Sequence, residues 1–177
     1  MGIVTTSPVY LALDVGDVRI GLALSRSGIL AEPLTTLTRS GKSQVLSDIT
    51  AVVEREKVTV CVIGLPFLTS GIEGGQAEKT RAFGRSLARR LPALKIIFRD
   101  ERYSSVMASD VIEANGRGGG KGRIDRLAAA IILQGYLDDS ARSGPDFSGA
   151  YSTPKQAGGK SELVGEKKSQ NSGTPSP

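Results

Sequence analysis

VYLALDVGDVRIGLALS, residues 9–25, is the stretch that decides the fold. Along 9–15 the residues alternate, with Val9, Leu11, Leu13 and Val15 on one face of a strand and Tyr10, Ala12 and Asp14 on the other. Gly16-Asp17 marks a turn, and VRIGLALS (18–25) resumes strand character, so the two runs form a hairpin. An acid closes the first strand on its less aliphatic face.

Working outward, a third strand is expected near 30–38, at a sheet edge because Pro33 lacks a ladder donor. Residues 43–56 set Val45, Leu46, Ile49, Val52 and Val53 on one helical stripe. VTVCVIG (58–64) and LKIIFRD (94–100) are nearly continuous apolar runs of the buried, parallel type. Between them a glycine-bearing loop (Gly71, Gly74, Gly75) leads to a helix over about 76–91 with Phe83, Leu87 and Leu91 inward. Ser104 is a candidate N-cap for a helix running to Asn115, where Gly116 supplies a stop. GRGGGKGR (116–123) reads as a flexible basic loop, and a last apolar helix spans about 124–137. This order predicts an α/β domain. Its sheet is mixed and five-stranded, three antiparallel strands then two parallel ones, with helices on both faces.

Composition marks where that domain ends. Of the 38 residues from 140 to 177, 18 are Ser, Gly or Pro, and only Phe147, Tyr151, Leu163 and Val164 are large and apolar. Such a segment buries too little to offset its chain entropy. The expected organisation is one domain over 1–139 and a disordered tail over 140–177.

Absences narrow the chemistry. The chain has no histidine and one cysteine, which excludes His/Cys zinc sites, histidine-based triads and disulfides. Cys61, flanked by valines, reads as a small buried hydrophobe. A net charge of +5 and a pI near 9.5 favour an anionic partner. No apolar run is long enough to span a membrane and the N-terminus lacks the pattern of a secretion signal, so a soluble, cytoplasmic protein is expected.

Three acids stand where acids are locally awkward: Asp14 near a strand end, Glu101 just after a buried strand, and Asp125 at the start of an apolar helix. Each alone has an ordinary explanation, as a turn cap, a solvated loop acid and a partner for the helix dipole. Together they can converge, because strand ends along one edge of an open α/β sheet meet in one crevice. Clustered carboxylates repel, and a divalent cation removes that penalty. Magnesium takes hard oxygen ligands and keeps waters for a phosphate, with manganese as its substitute. Asp100 is a poor further ligand, since neighbouring strand residues face opposite ways. Arg81, Arg85 and Arg89 recur every four residues as a basic stripe, either a solvated face or a phosphate track beside a cleft. Neither glycine-rich stretch fits a nucleotide-binding loop.

The strings LALDVGDVRIGLALS (11–25), VIGLP (62–66), RDERYSS (99–105) and KGRIDRLAAAIILQGYL (121–137) occur in this order and spacing. Over about residues 9–139 the chain resembles the YqgF/RuvX family, described as Holliday junction resolvase-like proteins and pre-16S rRNA processing nucleases. The resemblance implies an RNase H-like fold, with Asp14, Glu101 and Asp125 as catalytic, metal-binding carboxylates. It further implies that Arg19, Arg102 and Lys121 match basic positions near the substrate path. Ser104 and Ser105 stand where many relatives carry threonine, which keeps the hydroxyl.

The expected activity is therefore metal-dependent phosphodiester hydrolysis, processing the 5′ end of pre-16S rRNA. The alternative keeps the chemistry on four-way DNA junctions. Junction cleavage needs two active sites related by a two-fold axis, and no dimerisation helix is evident, so RNA is favoured and the chain is expected to be a monomer or weak homodimer. Two further readings are weaker. Sugar kinases and actin-like ATPases, which also open on D-x-G, need a second such domain, and a non-catalytic nucleic-acid-binding protein would not need all three acids.

Overall fold

A computed structural model describes residues 7–66, 74–100 and 120–144. Strands β1 (Tyr10–Val15), β2 (Arg19–Ser25) and β3 (Glu32–Thr38) are antiparallel neighbours, and β4 (Val60–Leu65) and β5 (Lys95–Asp100) run parallel to β1. The sheet order is β3-β2-β1-β4-β5. Helices α1 (Lys42–Glu56) and α2 (Gly75–Arg90) connect β3 to β4 and β4 to β5. A long α3 (Lys121–Ser143) closes the described fold. The five-stranded mixed sheet is the one the sequence predicts. Pro33 lies on the edge strand, and the register shifts beside it, between Leu22 and Ala23.

The alternation in β1 sorts the helices. Leu11, Leu13 and Val15 share a core with Ile20, Leu22 and Leu24 of β2, and against it pack α1 through Val45 and Ile49 and α2 through Phe83 and Leu87. Leu11, Leu13 and Leu22 are fully buried, and each contributes on the order of 2 kcal/mol by leaving water. The other face carries Tyr10, Ala12, Ala23, Val60, Val62 and Ile97, and it takes α3 through Ala129, Ile132, Leu133 and Tyr136. Small residues dominate this face on the central pair: Ala12 is registered with Ala23, and Asp14 with Gly21. With so little side-chain height beneath it, α3 lies close to the sheet. Cys61 is wholly buried in the first core, and burial pushes its thiol up, far from a reactive state.

Two boundaries differ from the sequence expectation. Lys121 begins α3, whereas 116–123 reads as loop, and the helix continues four residues past 139 to Ser143. Tertiary bonds outweigh the local glycine signal. Thr36 Oγ1 of β3 donates to the Gly122 carbonyl at 2.5 Å, and the Arg123 N–H donates to the Gly120 carbonyl at 2.8 Å. Asp125 is consequently the fifth residue of the helix, past the exposed amides that its reading as a dipole partner required. The helix expected over 104–115 lies outside the described residues, as does nearly all of the expected tail.

Candidate active site

Asp14 lies one residue from the end of β1, on the face that α3 covers. Its backbone is paired with Gly21 of β2. A Cβ built at Gly21 would collide with the Asp125 carbonyl, so the bare glycine lets the second turn of α3 rest on the sheet beside Asp14. Burial raises the Asp14 carboxyl from 3.8 to about 6, and the neighbouring negative charge of Asp125 adds to the shift. No hydrogen bond or ion pair from a described residue offsets this. Asp14 is a carboxylate held in a costly environment next to another one.

Asp125 has a partner. Arg19, the first residue of β2, donates from Nε to Asp125 Oδ2 at 2.5 Å, with both side chains partly buried. The turn that delivers Arg19 is closed by the Gly16 N–H donating to the Arg19 carbonyl at 3.0 Å. A Cβ at Gly16 would crowd that same carbonyl. Four residues of DVGDVRIG (14–21) thus acquire a physical reason. Asp14 is one carboxylate, Gly16 permits the turn, Arg19 anchors the second carboxylate, and Gly21 admits the helix that carries it.

Beside Asp125, a cleft of about 480 Å³ is lined by Thr35, Thr36, Gly120, Lys121, Gly122, Arg123 and Arg126. Lys121, Arg123 and Arg126 form no ion pair among the described residues, so three cations flank the carboxylates. Lys121 is one of the basic residues that the sequence singles out. Arg123 and Arg126 were not singled out by it, although they bracket Asp125 in KGRIDR. Once α3 starts at Lys121, three-residue spacing sets them on neighbouring turns.

The arginine stripe is placed differently from its expected position. Arg81, Arg85 and Arg89 belong to α2, which packs on the sheet face opposite Asp14 and Asp125. Arg81 lies over the Phe98 ring at 5.2 Å, and Arg89 Nη2 donates to Ser86 Oγ at 3.2 Å. The expectation that this helix flanks the carboxylate cleft is therefore corrected. A four-residue period identifies a helix face but not which side of the sheet the helix occupies.

Glu101 and Arg102 lie outside the described residues. β5 ends at Asp100, one position before Glu101, and Ile97 packs on the α3 side of the sheet. Among the described residues no group of three or more His, Cys, Asp or Glu could hold a metal. The pair that is described suits a hard cation. Its donors are carboxylate oxygens, and one of them, on Asp14, has no other stabilising partner among the described residues.

This strand order, antiparallel then parallel with helices on both faces, is an α/β fold of the RNase H-like class. A solved structure of T. thermophilus RuvC in complex with Holliday junction substrate shares it, with a TM-score of 0.51 at 9% identity over 77% of this chain and 97% of that one. The family described as RuvX, Holliday junction resolvase, matches residues 8–139, and the chain belongs to that family. A relative from Fusobacterium nucleatum, named "Putative pre-16S rRNA nuclease", is 41% identical over 133 residues, 73% of this chain and 96% of its own length. Relatives of the same name from Synechococcus elongatus and Dehalococcoides mccartyi are each 42% identical, over 73% and 71% of this chain and 88% and 95% of theirs.

Proposed function

We propose that this protein is a divalent-metal-dependent nuclease that processes the 5′ end of pre-16S rRNA. The observation that carries the chemistry is the Asp14–Asp125 pair. A half-buried carboxylate is raised to about 6 with a second carboxylate beside it, an arrangement that costs stability unless a cation occupies it. Asp14, Asp125 and Glu101 would hold magnesium or manganese. Glu101 directly follows β5, in the same odd-numbered series as Ile97 and Arg99. When bound, the ion supplies Lewis-acid stabilisation of charge on the phosphate.

The chain's own residues supply the rest. Arg19 holds Asp125 in one orientation through its Nε hydrogen bond. Hydrolysis joins a water oxygen to phosphorus and releases a sugar oxygen, so negative charge must be balanced throughout. Lys121, Arg123 and Arg126 provide positive charge on one flank, and Arg102 is proposed to add to it. Thr36 fixes the first turn of α3 and thereby the position of those cations. With no histidine in the chain, the carboxylates are the groups proposed to organise the attacking water.

RNA is the favoured substrate because the relatives covering nearly their whole length carry that name. The family description supports a second reading, cleavage of four-way DNA junctions. The test is cleavage of a 16S rRNA precursor and a synthetic junction side by side, with magnesium and with EDTA. The expected result is metal-dependent trimming of the precursor and an intact junction. A cleaved junction beside an untouched precursor would reverse the assignment, and no cleavage of either would remove it.

A further inference from the structure

On the other side of the turn that joins β1 to β2 lies a second basic cleft, of about 490 Å³. Three elements converge on it: Arg39 after β3, Lys42 at the first position of α1, and Lys79 near the start of α2. The acid in its lining is Asp17. We propose that this cleft is a second phosphate-binding subsite, taking the sugar–phosphate backbone of the nucleic acid away from the bond that is cut. The inference rests on the nuclease reading and extends it to a second point of contact.

The cations differ in how they are held. Arg39 is preorganised: Nη1 donates to the Gly16 carbonyl at 2.8 Å, and the guanidinium lies over the Phe83 ring at 5.6 Å. A guanidinium has five N–H donors, and no described residue takes the others. Lys79 pairs with Asp17 at 3.2 Å, both side chains more than 60% exposed, and an ion pair that open adds little stability and yields readily to a phosphate. Lys42 has no ion-pair partner among the described residues. Gly41, the cap of α1, brings no side chain to its amides, and no described residue lies within 4 Å of where a Cβ would be. The first N–H groups of α1 are therefore open to the same anion.

The chemistry selects a polyanion. Four of the seven lining residues are charged, three of them cations, and the one aromatic ring, Phe83, is already covered by Arg39, so the cleft offers no platform for stacking a base. Contact through the backbone alone is independent of sequence. Position ties the cleft to the carboxylates. Gly16 accepts from Arg39 through its carbonyl and donates to the Arg19 carbonyl through its N–H, and Arg19 holds Asp125. One turn thus separates the two anion-facing surfaces, and a strand crossing the end of β1 meets both.

The test is binding of a fluorescent single-stranded RNA to the full chain in EDTA, followed across a salt titration. Comparison is with a Lys42→Gln/Lys79→Gln double variant and a charge-matched Arg85→Gln/Arg89→Gln control farther along α2. Loss of two phosphate contacts flattens the log–log salt slope by about 1.4, at roughly 0.7 per contact, while the control keeps the parent slope and all three proteins melt alike. A parent slope in the double variant, equal flattening in the control, or no salt-dependent binding by the parent overturns the subsite. Failure of the nuclease reading shows elsewhere, as cleavage of neither the rRNA precursor nor the junction by the parent protein with magnesium.

Discussion

Asp14 pairs with glycine in the ladder, sits under a helix and faces another acid, and those three circumstances set its acidity. Its carboxyl is raised from 3.8 to about 6, so between those values the folded protein binds more protons than the unfolded chain. The stability tied to protonated Asp14 is fully present below pH 4 and is lost as pH rises through 6. Above that, the charge costs the metal-free fold on the order of 2 kcal/mol after allowance for partial exposure. Asp14→Asn should therefore stabilise the metal-free protein at pH 8, with the gain shrinking towards pH 5, as urea unfolding at the two values will report. A variant less stable than the parent at pH 8 would mean that Asp14 has a stabilising partner. The position of Asp14 was legible in the sequence because alternation places it near a strand end on the less aliphatic face. The role of Arg19 in holding Asp125 was not, since 106 positions separate the two and no local pattern spans that distance.

At the scale of elements, the site depends on how closely α3 approaches the hairpin. Gly21 and Ala23 on β2 and Ala12 on β1 make that approach possible. Gly21→Ala places a methyl against the Asp125 carbonyl, a backbone atom that moves only if the helix does. The expected cost is about 1–3 kcal/mol of stability. Displacing Asp125 by on the order of 1 Å should also lower cleavage roughly 100-fold. Thermal unfolding and a single-turnover assay check both, and parent-like values would show that α3 has slack here. Strand runs and their order were readable because periods of two and continuous apolar runs are local signals. The start of α3 was not: GRGGGKGR looks like a loop until the Thr36 bond to Gly122 is known. The side of the sheet taken by α2 was equally hidden, because amphipathicity gives a buried face without saying what it is buried against.

Among the described residues of the whole molecule, five strands and three helices form two cores, and the sheet end near Asp14 lies between two basic clefts. The family match stops at 139 and α3 at Ser143, which leaves a segment rich in Ser, Gly and Pro that we propose lies outside the folding unit. Ending the chain after Gly144 should leave the midpoint of urea unfolding unchanged and RNA cleavage at the parent rate. A lowered midpoint would assign the tail a place in the core. The fold was recoverable from sequence because its strands sit in short, ordered runs, whereas the cleft of Arg39, Lys42 and Lys79 gathers residues from three elements far apart in the chain. Asp14 is proposed to act in cleavage rather than in binding or folding. The most direct test is single-turnover cleavage of a precursor carrying the 5′ leader of 16S rRNA by the parent and Asp14→Asn at saturating magnesium, with RNA affinity measured on the same samples. The account predicts affinity within about twofold and a rate lower by roughly 10³-fold; a variant that binds equally and cuts at the parent rate would contradict it.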